Sequence, residues 1–151
     1  MAQIIAKLVR RLLLAILLLG IVGTLTELVL LDHLEEARQW IPIILLGAGM
    51  FAILWHIFMQ SVASANVMRW IMFGFLASGL AGIYFHYQGS VEFKLESNPT
   101  LAGWALFWAA VRAKAPPLLA PGEMIQLGLL GLAYSYVSPP NKHGEPTGES
   151  L

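Results

Sequence analysis

Four long apolar runs occupy most of this 151-residue chain and leave little else to fold. The hydrocarbon core of a bilayer is about 30 Å thick, so a helix needs about 20 apolar residues to cross it. The runs lie at residues 12–31, 41–59, 67–87 and 118–137. We therefore predict an all-α integral membrane protein, with four transmembrane helices forming one compact bundle over residues 1–137.

Composition excludes several classes of function. The chain is 58% hydrophobic and 12% charged, whereas soluble domains carry about 25% charged residues. It has no cysteine, which excludes disulfides, thiolate metal sites and cysteine nucleophiles. Its net charge of zero argues against nucleic acid as a partner, because phosphate backbones need a basic surface. The lipid bilayer is the environment that we expect.

Basic residues near the ends of spans favour the cytoplasmic side of a membrane. One side of the predicted arrangement carries Lys7, Arg10, Arg11, Arg69 and Lys142. The opposite side carries acidic Asp32, Glu35, Glu36, Glu92 and Glu96 against basic Arg38, Lys94, Arg112 and Lys114. We predict a multi-pass protein of a bacterial inner (plasma) membrane with both termini in the cytoplasm. The Pro/Gly-rich residues 138–151 are expected to form a disordered cytoplasmic tail.

Small residues that share one face of a helix, at spacings of three or four residues, predict close helix contacts, as in small-xxx-small motifs. Three such faces are Gly74, Ser78 and Gly82 in the third span, Gly128, Gly131 and Ser135 in the fourth, and Gly20 and Gly23 with Glu27 in the first. They support a compact bundle but leave the order of its helices open.

The second outer loop begins with the segment VEFKLE, residues 91–96, in which apolar and charged side chains alternate. A period of two is typical of a β-strand, yet no second strand is evident in the chain. We expect the segment, after a turn at Gly89, to lie flat on the membrane surface or to pair with another protein's sheet edge.

A short apolar helix is predicted at about residues 99–113, capped by Ser97 or Asn98 and opened by Pro99. It is too short to span a bilayer, and its tryptophans suit the headgroup level, so we predict an interfacial helix. It acts either as a lid over the outer end of the bundle or as a docking surface. The candidate partner-contact residues are Phe93, Trp104, Phe107 and Trp108.

Glu27 is the one carboxylate well inside a predicted span, and Gln126 lies at a similar depth in the fourth. Ionisable groups within a membrane are costly and are functional candidates by default. The pair either pins two helices together by a hydrogen bond or belongs to a proton-coupled carrier of small solutes. A carrier normally has more than one such acidic group, and no second one is present at this depth.

Two sets of residues are candidate metal ligands. The outer set is His33, Glu36, His86 and Glu92, and the inner set is His56, Met59, Met68 and Met72. Imidazole with carboxylate suits zinc, iron or copper, imidazole with thioether suits copper(I), and His33 with His86 could ligate haem. The alternatives are solvated helix ends for the outer set and ordinary apolar filling for the methionines.

Catalytic motifs such as G-x-S-x-G, the P-loop and H-E-x-x-H are missing from the chain, so an enzyme is the less favoured class. Our leading hypothesis is a non-catalytic accessory or structural subunit of a larger membrane complex, without a cofactor. The alternatives are a metal- or haem-binding redox or metal-handling protein built on His33 and His86, and a homo-oligomeric carrier centred on Glu27.

Overall fold

The computed structural model describes residues 1–32, 36–113 and 120–137. The described residues are mainly helical, and none of them forms a strand. The helices are α1 (Ala2–Leu30), α2 (Trp40–Met59), α3 (Val62–Ser97), α4 (Gly103–Val111) and α5 (Gly122–Val137), with a 3₁₀ turn at Ala37–Gln39. The predicted all-α class is confirmed for the described residues. The predicted tail, Lys114, Lys142 and residues 33–35 lie outside the described residues.

Three helices are long and apolar enough to cross a membrane, namely α1, α2 with its preceding turn, and α3. The fourth predicted span begins in residues outside the described part of the chain. Its described part, α5, has 16 residues, which gives a length of about 24 Å. That length is below the roughly 30 Å of a hydrocarbon core.

The prediction for residues 88–97 was wrong. The segment VEFKLE is neither a strand nor an extended loop, because α3 continues through Gly89 and ends at Ser97. Glu, Lys and Leu are good helix formers, and an existing helix adds each further residue without a new nucleation cost. Six alternating residues were too few to override that continuation.

The predicted start of the short helix was also wrong. Asn98 ends α3, and its side-chain Oδ1 accepts hydrogen bonds from the backbone N–H and hydroxyl of Thr100. Helix α4 begins at Gly103, whose φ of 56° lies in the left-handed region that glycine tolerates. The described helix therefore starts four residues later than Pro99.

The central helix is α3, which packs against both α2 and α5. It runs antiparallel to α5, since Gly82 contacts Pro121 at one end and Arg69 donates a hydrogen bond to Ser135 at the other. It is also antiparallel to α2, with Gly49 against Phe75 near the middle. Helix α1 packs mainly on α5, and less extensively on α2.

The predicted small-residue faces are confirmed only in part. Gly128 and Gly131 of α5 lie directly against Met72 of α3. On α3, however, Gly74 faces Leu45 of α2, whereas Gly82 faces α5. Residues four apart on a helix differ by about 40° in their direction around the axis. Gly74 and Gly82, which are eight apart, therefore point toward two different helices.

The packed helices have two chemically different ends. The basic end is defined by Lys7, Arg10 and Arg11 of α1 and Arg69 of α3. The hairpin end, opposite to it, is where α3 leads through residues 98–102 into α4. Between the ends, large apolar side chains such as Leu19, Phe51 and Leu80 point outward, as expected of helices surrounded by lipid.

Candidate functional site

Helix α4 folds back along the end of α3 to form a helical hairpin. The rings of Tyr87 and Phe107 lie 6.0 Å apart, while Gly103, four residues earlier in the chain, lines a cavity together with Val91 and Glu92. The two helices are therefore antiparallel. This hairpin consists of residues 88–111, and it replaces the flat surface segment expected from the sequence.

The predicted contact residues of α4 form a cluster of aromatic rings. Trp104 stacks on Phe107, with ring centroids 4.9 Å apart and planes 12° apart. Trp108 meets both rings edge-on, at 5.6 and 5.5 Å. Trp104 is 70% exposed and Trp108 is 40% exposed. We call Trp104, Phe107 and Trp108 the aromatic patch.

Phe93, the fourth predicted contact residue, is 54% exposed but makes no ring contact with the aromatic patch among the described residues. Its ring lies beside the Nζ of Lys94, at 5.6 Å. At the other side of the patch, the Arg112 guanidinium lies 5.3 Å from the Trp108 ring. The exposed hairpin thus combines aromatic surface with flanking cations.

The outer candidate metal ligands are spread over two elements. The Glu36 side chain accepts from Arg38 at 3.3 Å and caps the 3₁₀ turn, while His86 and Glu92 lie on α3. His86 and Glu92 are six positions apart, so they are separated by about 120° around the helix axis and by about 9 Å along it. The described residues contain no group of three potential ligands. His33 lies outside them, so a His33–His86 site stays a prediction.

Glu27 and Gln126 both have exposed side chains on the outside of the packed helices. The neighbouring contact between α1 and α5 is apolar and close, with Gly20 of α1 against Leu127 of α5. The structure therefore does not enclose the predicted polar pair within the core, and its role remains a prediction.

The inner candidate set is divided between core and surface. Met68 and Met72 are fully buried and belong to the apolar core, whereas Met59 is 65% exposed at the end of α2. His56 is buried, but its Nδ1 lies 3.0 Å from the Ser64 hydroxyl oxygen and shares a hydrogen bond with it. The described positions give the two buried methionines a packing role; copper binding is still only a prediction.

A polar network that the sequence analysis missed surrounds the turn between α2 and α3. Gln60 takes a left-handed conformation, with φ of 45°, and Ser61 then caps α3 by accepting from the Ser64 N–H at 3.1 Å. The Ser64 hydroxyl donates to the Ser61 carbonyl at 2.9 Å. The S-x-x-S spacing after a helix-ending Gln was the available signal for this cap.

Tyr134 of α5 packs against His56 of this network. Its ring meets the His56 ring edge-on, with centroids 6.3 Å apart. Its hydroxyl is buried and has no hydrogen-bond partner among the described residues. A buried hydroxyl without a hydrogen-bond partner lowers the free energy of unfolding by about 1–3 kcal/mol relative to one that has a partner.

Comparison with protein-family models, curated proteins and solved structures finds no match to this chain.

Proposed function

We propose that this chain is a non-catalytic accessory subunit of a larger membrane complex, and that it docks a partner membrane protein through its hairpin. The observation that carries the proposal is the exposed aromatic patch on α4. Tryptophan and arginine are the residues that most often dominate binding energy at protein interfaces. Trp104 and Trp108 of α4, with Arg112 at its C-terminal cap, supply both kinds within a short segment.

The length of α3 supports a hairpin that reaches beyond the bilayer. Its 36 residues extend about 54 Å, against a hydrocarbon core of about 30 Å. With Arg69 at one membrane boundary, about 20 residues bring the helix to the other boundary near Gln88. The remaining residues and α4 then stand in the polar region, where a partner can reach the aromatic patch.

In this proposal α5 is the fourth transmembrane helix, and the basic end faces the cytoplasm of a bacterial cell. Helix α5 packs against α3 from Pro121 to Ser135 and also against α1, so we place it at their depth although it is short. All described carboxylates lie toward the hairpin end: Glu27, Asp32, Glu36, Glu92, Glu96 and Glu123. The positive charge at the opposite end then agrees with the positive-inside tendency.

Cysteine labelling tests this topology directly, because the chain has no cysteine of its own. We expect Asn98→Cys, at the tip of the hairpin, to react with a membrane-impermeant maleimide in intact cells. Ala63→Cys and Val137→Cys, both exposed at the basic end, should react only after the membrane is permeabilised. Labelling of Val137→Cys in intact cells would contradict a fourth span that ends in the cytoplasm.

Alanine substitutions in the aromatic patch test the docking role. The double variant Trp104→Ala/Trp108→Ala should reduce co-purification of the complex from native membranes by about tenfold or more, since one buried interface tryptophan contributes at least about 2 kcal/mol. The measurement is native mass spectrometry of the tagged chain in mild detergent, which reports the assembled and free fractions. Membrane insertion should be unchanged.

Trp70 provides the matched control. It is 76% exposed but lies near the basic end, so Trp70→Ala removes an exposed tryptophan without touching the hairpin. The complex should remain assembled in this variant. A patch variant that assembles as well as Trp70→Ala would exclude the hairpin as the docking surface.

A further inference from the structure

A half-open cavity of about 330 Å³ lies at the basic end, where α1, α2 and α5 meet. Its lining residues are Lys7, Arg10, Arg11 and Leu14 of α1, Ile57 of α2 and Tyr134 of α5. The volume is within the range of about 300–1,000 Å³ that small-molecule sites occupy. The cavity is separate from the hairpin and has no part in the proposed docking.

Three cations line one side of this cavity. Lys7, Arg10 and Arg11 are spaced i, i+3, i+4, which places them on one face of α1. None of them forms a salt bridge with a described residue, and the described carboxylates lie toward the opposite end of the molecule. Their positive charge is therefore not neutralised by the described part of the chain, although it lines a cavity bounded by two other helices.

Tyr134 supplies an independent sign of a missing partner. Its side chain is fully buried, its hydroxyl has no hydrogen-bond partner among the described residues, and Tyr134 lines the same cavity. Buried hydroxyl groups are almost always hydrogen-bonded in folded proteins. A ligand that carries both negative charge and acceptor oxygens would satisfy the hydroxyl and the three cations together.

We propose that this cavity binds the phosphate group of an anionic ligand. Phosphate offers several acceptor oxygens, and Arg and Lys are its usual protein partners. An anionic phospholipid is the carrier that the surroundings favour, because the exposed apolar residues Leu12 and Ile16 follow the three cations along α1 toward the middle of the membrane, where acyl chains would lie. Basic pockets between membrane helices bind lipid headgroups in this way. The inference goes beyond the docking role of the hairpin and does not depend on it.

The test uses the full chain in neutral detergent, with equal amounts of phosphatidylglycerol and phosphatidylcholine added, and counts bound lipids by native mass spectrometry. We expect one tightly bound phosphatidylglycerol and a preference of about tenfold over phosphatidylcholine, because both lipids carry a phosphate but the choline cation of the second is repelled by the three cations. The variant Arg10→Gln/Arg11→Gln should abolish the preference. Equal retention of the two lipids by the unaltered chain would overturn the proposal.

Two variants separate a binding site from general charge or folding effects. Lys94→Gln/Arg112→Gln removes the same number of charges at the hairpin end and should keep the preference; an equal loss in this variant would overturn the proposal. Tyr134→Phe keeps the buried ring, so the thermal unfolding midpoint should stay the same or rise while lipid binding falls about threefold to tenfold. Unchanged binding in this variant would remove Tyr134 from the site and overturn the inference drawn from it.

Soluble competitors identify the carrier of the phosphate. Glycerol phosphate and inorganic phosphate are titrated against the bound phosphatidylglycerol. Displacement at micromolar concentration would support the phosphate site with a soluble ligand as its source, and resistance to millimolar concentrations would support the lipid. Neither outcome bears on the hairpin, whose docking is measured by the tryptophan variants alone.

Discussion

Replacement of Gly79 by valine is expected to lower the free energy of unfolding by about 2–3 kcal/mol, the upper part of the range for overpacked cores. A Cβ atom at Gly79 would lie 2.9 Å from the Pro121 carbonyl oxygen and 3.0 Å from the Ile125 backbone nitrogen. Backbone atoms cannot rotate out of the way as a flexible side chain can. The substitution must therefore push α5 away from α3.

Gly23 gives a matched control, since a Cβ added there meets nothing within 4 Å. Gly23→Val makes the same chemical change within a predicted span and should shift the unfolding midpoint only slightly. The measurement is thermal unfolding in detergent micelles, followed by circular dichroism. If the two valine variants unfold alike, the close approach of α3 and α5 does not hold these helices together.

The part of the fold that could be predicted from the sequence is the part governed by apolar length. The second run was predicted at 41–59, and α2 occupies Trp40–Met59. The first run was predicted to start at residue 12, but α1 begins at Ala2, because a helix can continue beyond the membrane into polar surroundings. Lys7, Arg10 and Arg11 are compatible with helical structure, so hydropathy located the apolar core of the helix but not its start.

The outer segment shows why local patterns failed there. Residues 91–96 alternate in polarity, but Tyr87, Val91 and Lys94 also recur at helical spacing. In α3 this second pattern turns one face toward α4, where Tyr87 contacts Phe107 and Val91 lines the shared cavity. Packing against α4 selects the helical period over the two-residue period of a strand. Because α4 lies outside residues 91–96, the pattern of those six residues alone could not reveal this.

The candidate sites were predictable in different degrees. Trp104, Phe107 and Trp108 lie within one turn and a half of a helix, so their clustering follows from local geometry. The contact between His56 and Tyr134 joins residues that are far apart in the chain. It depends on the way α2 and α5 both pack against α3, whereas the small-residue spacing predicted close helix contacts and left the order of the helices open.

Removal of the Ser64 hydroxyl is expected to cost about 1–3 kcal/mol of unfolding free energy, the range for a buried hydrogen-bonding group that loses its partner. Ser64 is fully buried, and its oxygen lies 3.0 Å from the Nδ1 of His56 and accepts from the Ser61 N–H at 3.2 Å. Ser64→Ala therefore loosens both the cap of α3 and the contact between α2 and α3.

Ser97→Ala is the control, because Ser97 is exposed at the opposite end of the same helix and its hydroxyl donates to the Phe93 carbonyl, at 3.1 Å. An exposed substitution of this kind should change stability by no more than about 0.5 kcal/mol. Chemical unfolding in mixed micelles measures both variants. Equal stability of Ser64→Ala and Ser97→Ala would mean that the hydrogen bond between His56 and Ser64 does not stabilise the fold.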